Sequence, residues 1–210
     1  MSLRRQLLLT VLVALPMLTA SAVAQRKNEL TGIIGRTFIA DQGVTGVPTF
    51  DPTLRFGNGL TFEVNYGRRL KAGEMLALTV EVPFVINPDE DIHFSVNLVP
   101  EQYFSYFVTP SLRANFFAAN KVSPWLSVGG GFGHFSESSN LEFGGPNPGS
   151  TGTTTGVFQF GGGLDVRIWD RWSLRGQVRD FYSGVPQLNV DTGKGHQHNI
   201  FVGGGVVWRF

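Results

Sequence analysis

The sequence predicts an all-β fold, an eight-stranded antiparallel up-and-down transmembrane β-barrel preceded by a cleaved signal peptide. Three observations predict it. The N-terminus reads as an export signal, period-two alternation runs through the remainder, and the connections between alternating segments are by turns short and long.

Arg4 and Arg5 precede an apolar run from Leu7 to Leu18, and Ala22-Val23-Ala24 supplies the small residues of a cleavage site. That run falls short of the roughly 20 apolar residues a spanning helix requires. Residues 1–24 are therefore expected to be a signal peptide, with the mature chain starting at Gln25 and residues 25–210 forming one barrel domain. Without Arg4 and Arg5 the 17 basic residues fall to 15 against 16 acidic ones, so the mature chain is almost neutral. No polybasic stretch suggests a nucleic acid. With 0 cysteines there is neither a disulfide framework nor a thiolate metal site. Gly at 27 of 210 is roughly twice its usual share of about 7%, and 18 Phe dominate the aromatics, neither of which suits a helical protein.

The first strand, near Leu30 to Ile39, has an ambiguous face. Arg36 is turned inward because a charge facing lipid at mid-depth costs about 2–4 kcal/mol. In the second strand, Leu60, Phe62, Val64 and Tyr66 alternate with Thr61, Glu63 and Asn65. In the third, Leu76, Leu78, Val80 and Val82 face one way and Ala77, Thr79 and Glu81 the other. The fourth, around 103–116, sets Tyr106, Val108 and Leu112 against Ser105, Thr109, Ser111, Arg113 and Asn115. The fifth runs from about Trp125 to Phe135 and turns Leu126, Val128, Phe132 and His134 outward. The sixth sets Phe158, Phe160, Leu164, Val166 and Ile168 against Gln159, Asp165 and Arg167. The seventh sets Trp172, Leu174 and Val178 against Ser173, Arg175, Gln177 and Arg179, and the eighth carries Ile200, Val202, Val206, Trp208 and Phe210 on one face.

Short connections fall at about 69–75, 117–124 and 169–171, and long ones at about 40–56, 86–103, 136–154 and 183–198. A barrel inserted in a bacterial outer membrane has tight turns on the periplasmic side and long loops outside. The long loops hold most of the acids and few bases. Trp125, Trp169, Trp172 and Trp208 all sit beside a short turn or the C-terminus, as one aromatic girdle, while Tyr103, Phe104, Phe135, Phe181 and Tyr182 suit a second at the other strand ends. Pro83 and Pro110 lie inside strands of a barrel that has no free edge, so bulges are expected there, or a third strand ending near Val82.

These features resemble the small outer-membrane β-barrel family, the OmpA/OmpX-like barrels, over essentially the whole mature chain. The segments that carry the resemblance are Trp172-Ser-Leu-Arg-Gly-Gln-Val-Arg-Asp-Phe-Tyr182 and the terminal Val202-Gly-Gly-Gly-Val-Val-Trp-Arg-Phe210. The resemblance implies that Val202, Val206, Trp208 and Phe210 form the signal read by the barrel assembly machinery, with Gly204 departing from the large apolar residue expected there. It also implies a bacterial outer-membrane location, with lipids and lipopolysaccharide as neighbours, and a monomer. The peptidoglycan-binding role of larger relatives is not expected to transfer.

The inward charges Glu63, Glu81, Arg113, Asp165, Arg167, Arg175 and Arg179 form a candidate lumen network, because buried ions persist only when paired. A three-residue turn at 169–171 sets Asp165 opposite Arg175. A corresponding register for the second and third strands sets Glu63 opposite Glu81, with an arginine between them. Gly129-Gly130-Gly131, Gly161-Gly162-Gly163 and Gly203-Gly204-Gly205 lack the following helix and lysine of a phosphate loop, and read as room for bulky lumen side chains. Asp89-Glu90-Asp91 and the pair His196 and His198 are too few for a defined metal site and read as solvated loops.

His134-Phe135-Ser136, with Asn147-Pro148-Gly149 downstream, resembles the catalytic His and Ser, two residues apart, of outer-membrane lipid A deacylases, and a triad-like role would take an acid such as Glu142. Glu137 stands where that family has Asn. The expectation is a non-enzymatic barrel without cofactors, with a plugged polar lumen and a structural or surface-contact role. The alternatives are a lipid A-modifying hydrolase and a narrow, porin-like ion-conducting pore.

Overall fold

A computed structural model describes residues 27–210; the signal peptide expected at 1–24 and the expected start at Gln25 lie outside the described residues. The strands are β1 (Asn28–Phe38), β2 (Gln42–Gly43), β3 (Thr53–Phe56), β4 (Leu60–Ala72), β5 (Leu76–His93), β6 (Gln102–Val108), β7 (Ser111–Phe116), β8 (Val122–Glu137), β9 (Thr153–Arg167), β10 (Trp172–Gly184) and β11 (His196–Arg209). β1, β4, β5, β6 with β7, β8, β9, β10 and β11 form a ring of 8 antiparallel staves. The short β2 and β3 stand above it, with β3 pairing the far end of β5.

The ring closes where β1 pairs β11, from Leu30 opposite Trp208 to Phe38 opposite Ile200. Phe210 extends this seam: its N–H donates to Asn28 O at 2.9 Å, and Asn28 N–H donates to Phe210 O at 3.1 Å. Every stave thus has a partner on both sides, as a sheet without water at its edges requires. Side-chain alternation then sorts the residues. Ile34, Phe62, Val80, Leu112, Val128, Phe160, Val178 and Val202 are exposed in an outer apolar band, and Thr31, Asn65, Thr79, Asn115, Ser127 and Gln159 are enclosed.

The parity of β1 differs from the expectation. Thr31, Ile33 and Thr37 point inward, and Arg36 points outward, its Nη1 donating to Asn58 O at 2.7 Å. Arg36 stands opposite Leu60 and Val202, toward the long-loop end, where an outward charge costs only about 0–1 kcal/mol.

β5 runs on to His93 instead of ending near Val82, and neither proline makes a bulge. β5 keeps one register across both, with Glu81 opposite Ser111 in β7 and Phe84 opposite Val108 in β6. Each proline offers only its carbonyl to the ladder: Thr109 N–H donates to Pro83 O at 3.3 Å, and Gly130 N–H to Pro110 O at 3.2 Å. The fourth stave merely loses strand geometry at Thr109 and Pro110. Register shifts fall elsewhere, at Arg69/Lys71 and Asn87/Glu90.

Only part of each girdle faces outward. At the turn end Trp169 and Trp172 are exposed, and Trp172, Trp208 and Phe210 stack in series at 6.2 and 4.6 Å. Trp125 is instead 1% exposed and inside the barrel. At the loop end Phe104 and Tyr182 face outward, whereas Tyr103, Phe135 and Phe181 are buried. The cause is parity, since odd positions of β6, β8 and β10 all point inward.

The glycine triplets follow the same rule, with two inward glycines flanking an outward one. A Cβ at Gly163 would meet the Trp125 ring at 2.8 Å and overlap the Gly176 carbonyl, so a side chain there displaces the largest residue in the lumen. Nothing lies within 4 Å of a Cβ on outward Gly176. Replacing Gly163 by Val should therefore cost at least about 1–3 kcal/mol in urea unfolding of the refolded barrel, while Gly176→Val leaves the midpoint nearly unchanged.

Candidate functional site

The barrel interior has two tiers, where a polar lumen alone was expected. Toward the turn end lies a charged tier built around Trp125, and above it lies an apolar plug. The plug includes Ile33, Val85, Phe107, Phe135, Phe181 and Phe201 from the staves. The Phe107 and Phe181 rings stack at 5.1 Å, and Leu54, Ile92, Val99 and Leu188 cap them from above.

In the charged tier, Asp165 stands opposite Arg175, as the hairpin spacing requires. Arg175 donates from Nε to Asp165 Oδ1 at 2.7 Å and from Nη2 to Asp165 Oδ2 at 2.9 Å, a planar two-point pairing. Arg113 Nη1 donates to Glu81 Oε2 at 2.8 Å, and its Nη2 pairs with Glu29. Arg179 Nη2 donates to Glu81 Oε1 at 2.9 Å, and its Nε lies 3.5 Å from Glu63 Oε2. Gln177 Nε2 donates to the same Glu63 oxygen at 2.5 Å. Arg209 Nη2 donates to Asp165 Oδ2 at 3.1 Å, and its Nη1 to Ser173 Oγ at 2.7 Å. Four carboxylates thus meet four guanidiniums, and the tier is neutral.

Trp125 fills the middle, with Arg113, Arg175 and Arg179 over its ring at 5.7, 5.1 and 5.0 Å. Guanidiniums on an indole face lower the cost of enclosing both, because the ring presents negative potential and the weakly hydrated cation is planar.

Glu63 and Glu81 do not face each other. Glu63 stands opposite Val85, and Glu81 opposite Gly67, because β4 runs on to Ala72, which moves the turn to 73–75, and the register then shifts by one at Arg69/Lys71. Arg179 nevertheless bridges them. Arg167 is not in the tier: it ends β9 at the open mouth, where its guanidinium donates to the carbonyls of Ala118 and Ala119 at 2.9 and 3.2 Å. Arg69, Lys121 and Arg209 line the same mouth.

Sequence reasoning missed Glu29, Arg209 and Trp125. Turning Arg36 inward put Glu29 on the wrong face. Arg209 and Trp125 were legible, because their neighbours Trp208 and Leu126 were already placed outward.

Among the described residues no three His, Cys, Asp or Glu side chains come together as a metal site. His134 Nδ1 lies 2.8 Å from Thr154 Oγ1, and Glu142 bonds His93 and the Phe94 amide, so His134, Ser136 and Glu142 form no relay. His196 stacks on Tyr182 at 5.1 Å, and His198 meets Asp180 at 2.5 Å on the outer wall.

Asp89-Glu90-Asp91 is strand, not loop, and rises beyond the apolar band. Its middle residue turns in: Glu90 Oε2 accepts from Asn87 Nδ2 at 2.6 Å and from Gly59 N–H at 3.2 Å, while Oε1 has no partner. Burial pushes the Glu90 carboxyl up to about 7, against these two bonds and with help from Asp91 and Asp89.

Comparison with known proteins adds to this geometry. The family described as "Outer membrane protein beta-barrel domain" matches residues 7–210. Neisserial surface protein A is similar in structure at 14% identity, covering 87% of this chain and 97% of its own, with a TM-score of 0.52. The outer membrane protein OprG from Pseudomonas aeruginosa is similar at 7% identity, covering 88% and 95%, with a TM-score of 0.52. At these identities the likeness is one of fold. Comparison with curated proteins found no match.

Two predictions follow from the interior. Arg175→Met should cost about 3–5 kcal/mol by leaving Asp165 short of its main partner, and Arg175→Met with Asp165→Asn should cost clearly less than the two single losses together. Urea titration of the four proteins in lipid vesicles measures this, and additive losses would refute the pairing. At Glu90 the folded chain holds its proton up to about pH 7, whereas the unfolded chain releases it near the ordinary 4.5. The folded state binds more protons between these values, so this stabilisation is full at acid pH and disappears as pH rises through about 7. Amide exchange at 57–59 and 87–91 should quicken between about pH 5 and 8, and Glu90→Gln should remove the trend.

Proposed function

Because this chain belongs to the outer membrane protein beta-barrel domain family, integral proteins of the bacterial outer membrane, we propose that it is a sealed, non-enzymatic barrel with a structural or surface-contact role through four long loops that face outside. The observation that carries this reading is the filled interior. A charged tier with Trp125 at its centre and an apolar plug above it occupy the axis in succession. An eight-stranded barrel has an interior just wide enough for its own side chains, so a pore requires these groups to move apart.

The loops are suited to presentation because they are tied to one another. Thr45 N–H donates to Asp191 O at 2.9 Å, Glu101 N–H to Asn140 O at 3.1 Å, and Glu142 N–H to Val99 O at 3.1 Å. Outer-leaflet lipid and lipopolysaccharide are the proposed neighbours of the outer wall. The assembly machinery is the proposed reader of Val202, Val206, Trp208 and Phe210. Val202 and Val206 present exposed apolar surface, while Trp208 and Phe210 sit in the aromatic stack beside the closing seam.

Protein refolded into planar bilayers should show no regular single-channel steps, and steady conductance would overturn the sealed reading. In cells expressing the protein, His134→Ala and Ser136→Ala should leave lipid A acylation unchanged. Loss of an acyl chain only when both residues are intact would replace the non-enzymatic reading with hydrolysis.

A further inference from the structure

Outside the neutral tier, the charges of the described residues are sorted along the barrel axis. The turn end carries seven bases, Lys27, Arg68, Arg69, Lys71, Lys121, Arg167 and Arg171, against two acids, Glu74 and Asp170. The loop end holds ten acids and only three bases, Arg36, Arg55 and Lys194. Charge of opposite sign at the two ends draws anions to the turns and repels them from the loops.

Two of the seven bases lie side by side on the outer wall. In β4, Arg68 stands opposite the exposed Val80, and Lys71 stands opposite Leu78, the neighbouring outward residue of β5. The register slip between Arg69 and Lys71 is what turns Lys71 outward, since in an unbroken strand it would share the inward face of Arg69. Alternate residues of a strand are about 7 Å apart, so both side chains can reach one phosphate group. Among the described residues neither makes an ion pair or a side-chain hydrogen bond. Their depth suits a lipid headgroup. Trp208 pairs with Leu30 and Leu30 with Tyr66, so Tyr66 lies level with the tryptophan stack, and Arg68 comes two residues nearer the turn. Interfacial rings mark the headgroup level. Leu70 and Met75, 64% and 65% exposed beside these cations, add apolar surface that a lipid can cover and a water-borne anion cannot.

We propose that Arg68 and Lys71 hold the phosphate of an anionic phospholipid in the leaflet around the turn end. The guanidinium can pair with phosphate oxygens through two parallel N–H donors, and the ammonium adds a point charge. A zwitterionic headgroup offers the same phosphate, but its own cation is repelled by the surrounding bases, so lipid of net negative charge is preferred. That this leaflet is the periplasmic one rests on the reading of the loops as external; the site itself requires only that the barrel spans a bilayer. Isotope-labelled protein is placed in phosphatidylcholine nanodiscs in which phosphatidylglycerol replaces the host lipid stepwise, and amide shifts are followed. Both leaflets receive the anionic lipid, so orientation does not affect the result. The expected outcome is saturable change at 66–72 and 77–80, absent from the loops and unaltered by Lys194→Gln. Arg68→Gln and Lys71→Gln should each weaken it about fivefold, and raised ionic strength should weaken it too. The salt series uses the unmutated protein and keeps the test open should a variant fail to fold. Unsaturable shifts spread evenly around the turn end would overturn the proposal by showing a diffuse field without a site. A response that survives both substitutions would also overturn it, and so would tighter binding of soluble glycerophosphate, which would mark a water-facing anion site. Conductance measurements on the same protein test the sealed barrel separately, so the two readings can fail independently.

Discussion

Hydrocarbon offers no partner to a backbone N–H, and the rest of this structure depends on that constraint. It requires β1 to meet β11, and once the ring is closed each residue has only two destinations, lipid or lumen. Every charge on a membrane-crossing stave must then reach a headgroup region or find a counter-charge within an interior about as wide as two side chains. Arg36 takes the first course, through its place near the loop end. Glu29, Glu63, Glu81 and Asp165 take the second, each meeting one or more of Arg113, Arg175, Arg179 and Arg209. Even Pro83 and Pro110 obey it, since each is placed so that its carbonyl still accepts a bond from a neighbouring stave.

The two interior tiers serve different ends. The charged tier pins register, because a one-residue slip of β10 would carry Arg175 and Arg179 into lipid and leave their carboxylates unpaired. The apolar plug needs no such exactness, and it joins the staves to the loops by ordinary packing of rings and aliphatic chains. Loop order and barrel order are therefore continuous.

The ring, the outward band and most of the lumen charges were legible because alternation is a local signal, carried by neighbours such as Phe62, Glu63 and Val64. The Asp165–Arg175 pair was legible because a tight turn fixes its hairpin. The Glu63–Glu81 register was not, because β4 runs on to Ala72 and the hairpin slips by one at Arg69/Lys71, neither of which leaves a mark in the apolar pattern. β1 misled through an energetic argument applied at the wrong depth: the cost assigned to Arg36 belongs to the bilayer centre. Trp125 was misplaced by residue type, since a tryptophan near a turn suggests an interface, although the parity of Leu126 and Val128 already sent it inward. The apolar plug had no sequence signature, because Phe107, Phe135, Phe181 and Phe201 come from four strands and meet only after closure.

The placement of the tryptophans divides the chain optically. Trp169, Trp172 and Trp208 lie at the turn end near the outer wall, so their emission should change when the polypeptide first adsorbs to and enters lipid. Trp125 is enclosed only when β7, which carries Arg113, and β10, which carries Arg175 and Arg179, have both arrived. A chain retaining only this indole would report ring completion, and one retaining only the other three would report insertion. The protein thus carries separate intrinsic clocks for the two stages of its own assembly.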